Sequence, residues 1–173
     1  MQNRKWLLIA FLGVVLLSLL VWRLSSWQRN LAPITQTETA PQRSFSQLTI
    51  GDQTYEVVLS ETPEEITQGL SRRQTIGAEG MLFILPEKRV VSFWMYQMNF
   101  PLDFVWIADG QVVDLHENVP SVPFNTPEQE IPVVSPAVPI QMVLEVPVGF
   151  IQEKNITRGM SVELAPTRTV MGW

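Results

Sequence analysis

Between Gly80 and Gly110 the chain reads GMLFILPEKRVVSFWMYQMNFPLDFVWIADG. These 31 residues hold three strand-like apolar segments, a cluster of aromatic and methionine side chains, and Asp103, set among apolar neighbours. Short β-branched and aromatic runs, broken by Pro and by Asp-Gly, read as strands rather than helices. Side chains alternate along a strand, so Phe93 and Met95 project from one face and Trp94 and Tyr96 from the other. Both faces are therefore large and apolar. Either both are buried, or one lines a groove for a sugar, peptide or lipid chain.

The flanking sequence extends the pattern. Leu48 to Ile50 and Thr54 to Leu59 flank Gly51-Asp52, a two-residue hairpin signal. Thr62-Pro63-Glu64-Glu65 is a helix start, with Thr62 as cap, Pro63 in the first turn and Glu65 completing a capping box. Met81 to Leu85 predicts a buried strand, Pro86 to Arg89 a turn, and Val90 to Tyr96 a returning strand. Leu102 to Ile107 and Gln111 to Leu115 flank Asp109-Gly110, a second hairpin signal. Residues 118–139 carry six prolines and read as a long surface excursion. Ile140 to Val146 and Met160 to Leu164 predict two more strands, with one helical turn between Gly149 and Asn155. The expected architecture is α+β and β-rich: a bent antiparallel sheet closing into a small barrel, with one short helix.

Residues 6–22, WLLIAFLGVVLLSLLVW, carry no charge and are bracketed by Trp6 and Trp22. At about 1.5 Å per residue this run is just long enough to span a bilayer. Arg23 follows directly, and no small-x-small cleavage site comes after it. Residues 1–24 therefore predict a single transmembrane anchor rather than a cleaved signal. The short amino-terminal tail favours export of the chain beyond the span, so the domain is expected in an extracytoplasmic space. Residues 25–46 read as a polar linker, 47–165 as the domain, and 166–173 as a tail.

The domain is acidic. Residues 47–165 hold 16 Asp/Glu against 6 Lys/Arg, a formal −10. Nucleic acid needs a basic face, so it is excluded as a partner. The chain has no cysteine and one histidine, His116. Thiol catalysis, thiolate metal sites and multi-histidine metal sites are thereby excluded. There is also no nucleophile elbow and no phosphate-binding glycine loop. No cofactor is expected.

Carboxylates remain. Asp103 and Glu145 both sit inside apolar runs, where burial raises a carboxyl pKa unless the group is paired or hydrogen-bonded. Brought together, they could serve as acid and base. Separately, each is a strand residue facing outward or a structural carboxylate. Arg72 and Arg73 form the only adjacent arginine pair of the domain. Arg73 is expected to pair with Asp103, because its fork bonds a carboxylate at two points. His116 reads as a satisfied strand residue.

Several pieces, in order, resemble the DUF192 (UPF0127) family: Gly69-Leu70-Ser71-x-Arg73, Gly80-Met81-Leu82-Phe83, Phe93-Trp94-Met95, Pro101-Leu102-Asp103, Asp109-Gly110, Ser135-Pro136-Ala137, Leu144-Glu145 and Gly159. The resemblance covers about residues 47–165. The family pattern commonly has G-L-M-x-R and F-W-M-K-N-T. Here Ser71 stands for the methionine, and Tyr96-Gln97-Met98 stands for K-N-T. The resemblance implies a compact β-rich domain, often exported, with no assigned substrate or cofactor.

Together these features predict a membrane-tethered, extracytoplasmic domain that binds rather than transforms. Its expected site gathers Arg73, Trp94, Asp103 and Glu145, for an unknown small ligand or envelope protein. The alternatives are a carboxylate-dependent hydrolase or lyase acting on cell-envelope glycans, and a structural module docking through the proline-rich excursion.

Overall fold

A computed structural model of the chain describes residues 44–166. The expected anchor, nearly all of the linker, and the tail beyond residue 166 lie outside the described residues. Among the described residues, no helix is long and apolar enough to cross a membrane.

Strands β1 (Phe45–Ile50) and β2 (Gln53–Ser60) form the expected hairpin. Gly51 takes the left-handed φ of +63° that its turn requires. Phe45 and Ser46 thus belong to the sheet, not to the linker. Helix α1 (Pro63–Gln68) begins as its sequence dictates: Glu65 N–H donates to the Thr62 hydroxyl, and the Thr62 N–H donates back to the Glu65 carboxylate.

Strand β3 (Gly80–Arg89) then runs parallel to β2, with Val57 opposite Gly80 and Ser60 opposite Phe83. The expected antiparallel sheet is therefore mixed. A tight turn reverses the chain, whereas a connection containing a helix carries it back so that the next strand enters in the same direction. The strand also runs through Pro86 to Arg89, where the sequence predicts a turn. Its ladder is irregular between Ile84 and Arg89, which is where a proline without an N–H is tolerated.

The expected strand from Val90 to Tyr96 shrinks to β4 (Phe93–Trp94). Strands β5 (Leu102–Ala108) and β6 (Gln111–Val119) form the second hairpin, with Asp109 and Gly110 both at positive φ. The proline-rich excursion contributes a 3-10 turn at Glu128–Glu130 and strand β7 (Val133–Val134), which pairs with β4 in a separate two-stranded sheet. Strand β8 (Ile140–Pro147), a second short helix α2 (Phe150–Glu153) and β9 (Val162–Leu164) complete the domain.

The main sheet has the order β6-β5-β8-β3-β2-β1-β9. It curls into a half-barrel. Its two edges meet at one end, where Val112 N–H donates to Met160 O at 2.9 Å and Val162 N–H donates to Gly110 O at 2.7 Å. Apolar layers cover both faces. One contains Leu70, Met81, Phe83, Met95, Phe104 and Trp106. The other contains Leu48, Tyr55, Leu82, Val105, Ile107, Leu144 and Phe150. All seven residues of β5 are buried, which explains why its sequence alternates so little. Trp106 satisfies its indole N–H on His116 Nδ1 at 2.8 Å, so the one histidine is structural.

Candidate functional site

The two candidate carboxylates lie on opposite faces of the sheet. Asp103 alternates with Phe104 and shares its face with Val105 and Ile107. Glu145 pairs across strands with Phe104 and Met81, both on the other face. No acid–base pair can form through the sheet between them.

Asp103 is fully buried and its oxygens are filled by main-chain donors. Asn118 N–H donates at 2.8 Å, Gly149 N–H at 2.9 Å and Ile151 N–H at 3.2 Å. The carboxylate thereby joins the end of β6 to the start of α2. The expected Arg73 partner is replaced by these amides. The loop that carries Arg73 packs Leu70 and Ile76 on the face opposite Asp103. Arg73 is half-buried there, its carbonyl accepting from the Asn99 amide at 2.8 Å.

Glu145 is 6% exposed. Burial pushes its carboxyl up to about 8, so it is predominantly protonated at neutral pH. A further carboxylate, Asp114, has no distinguishing mark in the sequence. It accepts from Leu115 and Ala137 N–H at 2.9 Å each and pairs with Arg158. Burial opposes its charge, but the two amides and the guanidinium outweigh burial and hold its pKa below the usual range. Asp114 ties β6 to the proline-rich excursion and to the turn before β9.

Of the four expected site residues, Trp94 lines an open groove. It is 47% exposed, while the adjacent Met95 is 1% exposed and packs into the core. The two project to opposite sides, as alternation requires. Tyr96, 37% exposed, stacks on Trp94 with ring centroids 4.7 Å apart and planes 20° from parallel. The rings form one wall of a groove of about 600 Å³. The exposed side of α1, through Pro63, Glu64, Thr67 and Gln68, forms the other.

Arg72 and Gln97 line the same groove, and both hold positive φ, +62° and +54°. Residues other than Gly, Asn and Asp rarely adopt that region, at a cost of about 1 kcal/mol or more each. Reciprocal geometry holds them there. Arg72 N–H donates to Gln97 O at 2.8 Å, and Arg72 Nε donates to Gln97 Oε1 at 2.5 Å. Ser71 Oγ donates to Tyr96 O at 2.9 Å, fastening the loop to the aromatic segment. Among the described residues, no carboxylate forms an ion pair with the Arg72 guanidinium. The sequence signal for this cluster is the departure from the family pattern at 71 and 96–98, and pairing logic alone points to Arg73 rather than Arg72.

A second hollow of about 450 Å³ shares Trp94 and Thr67 with the first and adds Arg89 and Ser92. The two make one trough along α1, with Trp94 at its waist. A third pocket, lined by Ile76, Phe100, Pro101 and Pro147 among others, is apolar. No cluster of three or more potential metal-binding side chains occurs among the described residues.

The family model DUF192, described as "Uncharacterized ACR", matches residues 46–164. Two solved structures share the fold. A protein of unknown function from Novosphingobium aromaticivorans is 26% identical, with a TM-score of 0.59, covering 69% of this chain and 84% of its own. A protein from Sinorhizobium meliloti, assigned as a candidate transcription regulator, is 31% identical, with a TM-score of 0.57, covering 70% and 93% respectively. None of the curated proteins compared with the chain matches it.

Proposed function

The chain belongs to the DUF192 family, and we propose that its domain is a binding or accessory module without catalysis, tethered to a membrane. The observation that carries this reading is the Trp94–Tyr96 stack, left half-exposed over a groove with Arg72 and Gln97. Large exposed rings beside fixed polar groups are the makings of a recognition surface. The carboxylates that could do chemistry are elsewhere, one saturated by amides and one buried.

The tether is residues 6–22, an uncharged run between tryptophans, with the domain facing an extracytoplasmic space. A domain carrying a formal −10 supplies no basic face for nucleic acid, so that role is not proposed. The second reading is a carboxylate-dependent hydrolase or lyase on cell-envelope glycans. One observation favours it: a carboxyl held protonated at neutral pH, as in Glu145, is what a general acid needs.

Two experiments test the proposal. In cell fractionation the full chain should sediment with membranes and resist high-salt washing. Recovery as a soluble species lacking its first thirty or so residues overturns the tether. The full chain should also be retained on envelope material without releasing products, with retention lost in Trp94→Ala. Turnover that survives Trp94→Ala and disappears in Glu145→Gln would establish the enzyme instead.

A further inference from the structure

We propose that the trough along α1 takes an acidic oligosaccharide, a chain of pyranose rings bearing carboxylates, with one ring on Trp94. The inference rests on the binding reading above and names its ligand class.

Three features of the trough select that chemistry. The first is charge. The domain has 6 Lys/Arg and 16 Asp/Glu. Two of those few cations, Arg72 and Arg89, line the trough, against one acid, Glu64. The trough is therefore a locally cationic strip on a strongly acidic domain. Arg72 is also oriented: its Nε is bound to Gln97, which fixes the guanidinium plane and leaves both terminal nitrogens to grip a carboxylate.

The second feature is the aromatic stack. Polyproline ligands insert a proline ring into a slot between aromatic side chains. Here the rings of Trp94 and Tyr96 lie on each other at 4.7 Å, so no slot exists between them. The pair instead forms one thick plate with an exposed surface, which suits a flat partner with an apolar face. A pyranose has such a face in its ring C–H groups, and its hydroxyls lie around the rim.

The third feature is the rim. Glu64, Gln68 and Gln97 bring carboxylate and amide groups beside the plate, able to accept from and donate to hydroxyls. In the first hollow the apolar surface is the two rings and Pro63, and the second hollow continues it with aliphatic side chains, the exposed Val90 among them. Two hollows joined at Trp94 accommodate a chain on either side of the stacked ring rather than a single sugar.

The test uses the full chain in a zwitterionic, sugar-free detergent, followed by tryptophan fluorescence and by saturation-transfer NMR of the ligand. The probes are trigalacturonate, the neutral α-1,4-linked trisaccharide maltotriose, and a proline-rich decapeptide. Trigalacturonate should bind best, with affinity falling as salt is raised. Trp94→Ala and Arg72→Ala should each weaken it by at least about tenfold. Trp94→Phe should retain most of the affinity, and an unchanged melting temperature in each variant shows that the fold is kept. Equal binding of maltotriose, or failure of both sugars to bind, overturns the inference. Peptide binding that depends on Trp94 overturns it too, while leaving the broader binding reading in place.

Discussion

Replacing Glu145 by glutamine should make the domain more stable, and the gain should grow with pH. Glu145 is 6% exposed, in register between Met81 and Phe104, and burial raises its carboxyl from about 4.5 to about 8. In the unfolded chain the same group ionises near its ordinary value. Below about pH 4.5 both states are protonated, and the carboxyl costs nothing through ionisation. Between about 4.5 and 8 the unfolded state gives up its proton and the folded state keeps it, so folding becomes less favourable as pH rises. Each pH unit of that window is worth about 1.4 kcal/mol. The window is between three and four units wide, which sets a ceiling of about 5 kcal/mol. Relaxation and water entry bring the expected effect to roughly 2–4 kcal/mol. That is a large part of the 5–15 kcal/mol typical of a whole domain.

Glutamine keeps the shape and polarity of the protonated acid and cannot ionise. Urea unfolding of a fragment spanning residues 44–166 should therefore give similar stabilities for the parent and Glu145→Gln near pH 4.5. The variant should lead by several kcal/mol near pH 8. Other carboxylates cancel in the difference. Asp114, for example, is held below its usual range and stabilises both proteins above about pH 4, its contribution fading in both as pH falls. A difference that stays constant from pH 4.5 to 8 would refute the reasoning. It would mean that Glu145 is ionised in the folded domain, and hence matched by a positive charge.

Asp103→Ala leaves three main-chain N–H groups without their acceptor, so it should cost roughly 3–5 kcal/mol in chemical unfolding. Asp103→Asn and Arg73→Ala should be additive within about 0.5 kcal/mol, and a larger coupling would show that the two side chains interact across the sheet. Met95→Ala should cost about 2–5 kcal/mol, whereas Trp94→Ala should cost under about 1 kcal/mol, a contrast read from two melting curves. Gly80→Ala should cost at least about 1–3 kcal/mol in urea unfolding, because its Cβ would lie 2.7 Å from a Leu144 methyl and 3.0 Å from the Glu145 carbonyl oxygen.

Local chemistry is legible in the sequence where one short segment decides the outcome. Thr62-Pro63-Glu64-Glu65 specifies its helix start without help from the rest of the chain. Gly51-Asp52 and Asp109-Gly110 specify their hairpins because few residues tolerate the required φ. The parallel β2–β3 pair is also within reach: a helix between two apolar strands is a crossover signal, although the hairpin signals on either side of it suggest a meander. The short β4 is not legible. Val90 to Tyr96 is as strand-like as any segment, but its ladder partner comes from the proline-rich excursion, which offers only Val133 and Val134. How far a strand extends depends on the length of its partner, and no local pattern carries that.

The candidate site shows the same division. That Trp94 and Met95 part ways follows from alternation, yet which of them meets solvent depends on the remote choice of which face packs on Phe83 and Trp106. Asp103 stands out in the sequence as a carboxylate needing compensation, but its donors are not the arginine that the sequence suggests. Main-chain amides have no letter in the sequence, so a search for partners among side chains finds only arginines. The groove itself emerges where local preference is overruled. Arg72 and Gln97 sit in a backbone region that neither residue favours, and each holds the other there. The family pattern places Asn at position 97, a residue that enters that region easily. Glutamine enters at greater cost, but its longer side chain presents its amide oxygen to the Arg72 Nε. Likewise, a lysine at position 96 would replace the ring that now stacks on Trp94. The two departures fall on adjacent residues, and together they build the guanidinium clamp and the aromatic plate of a single groove.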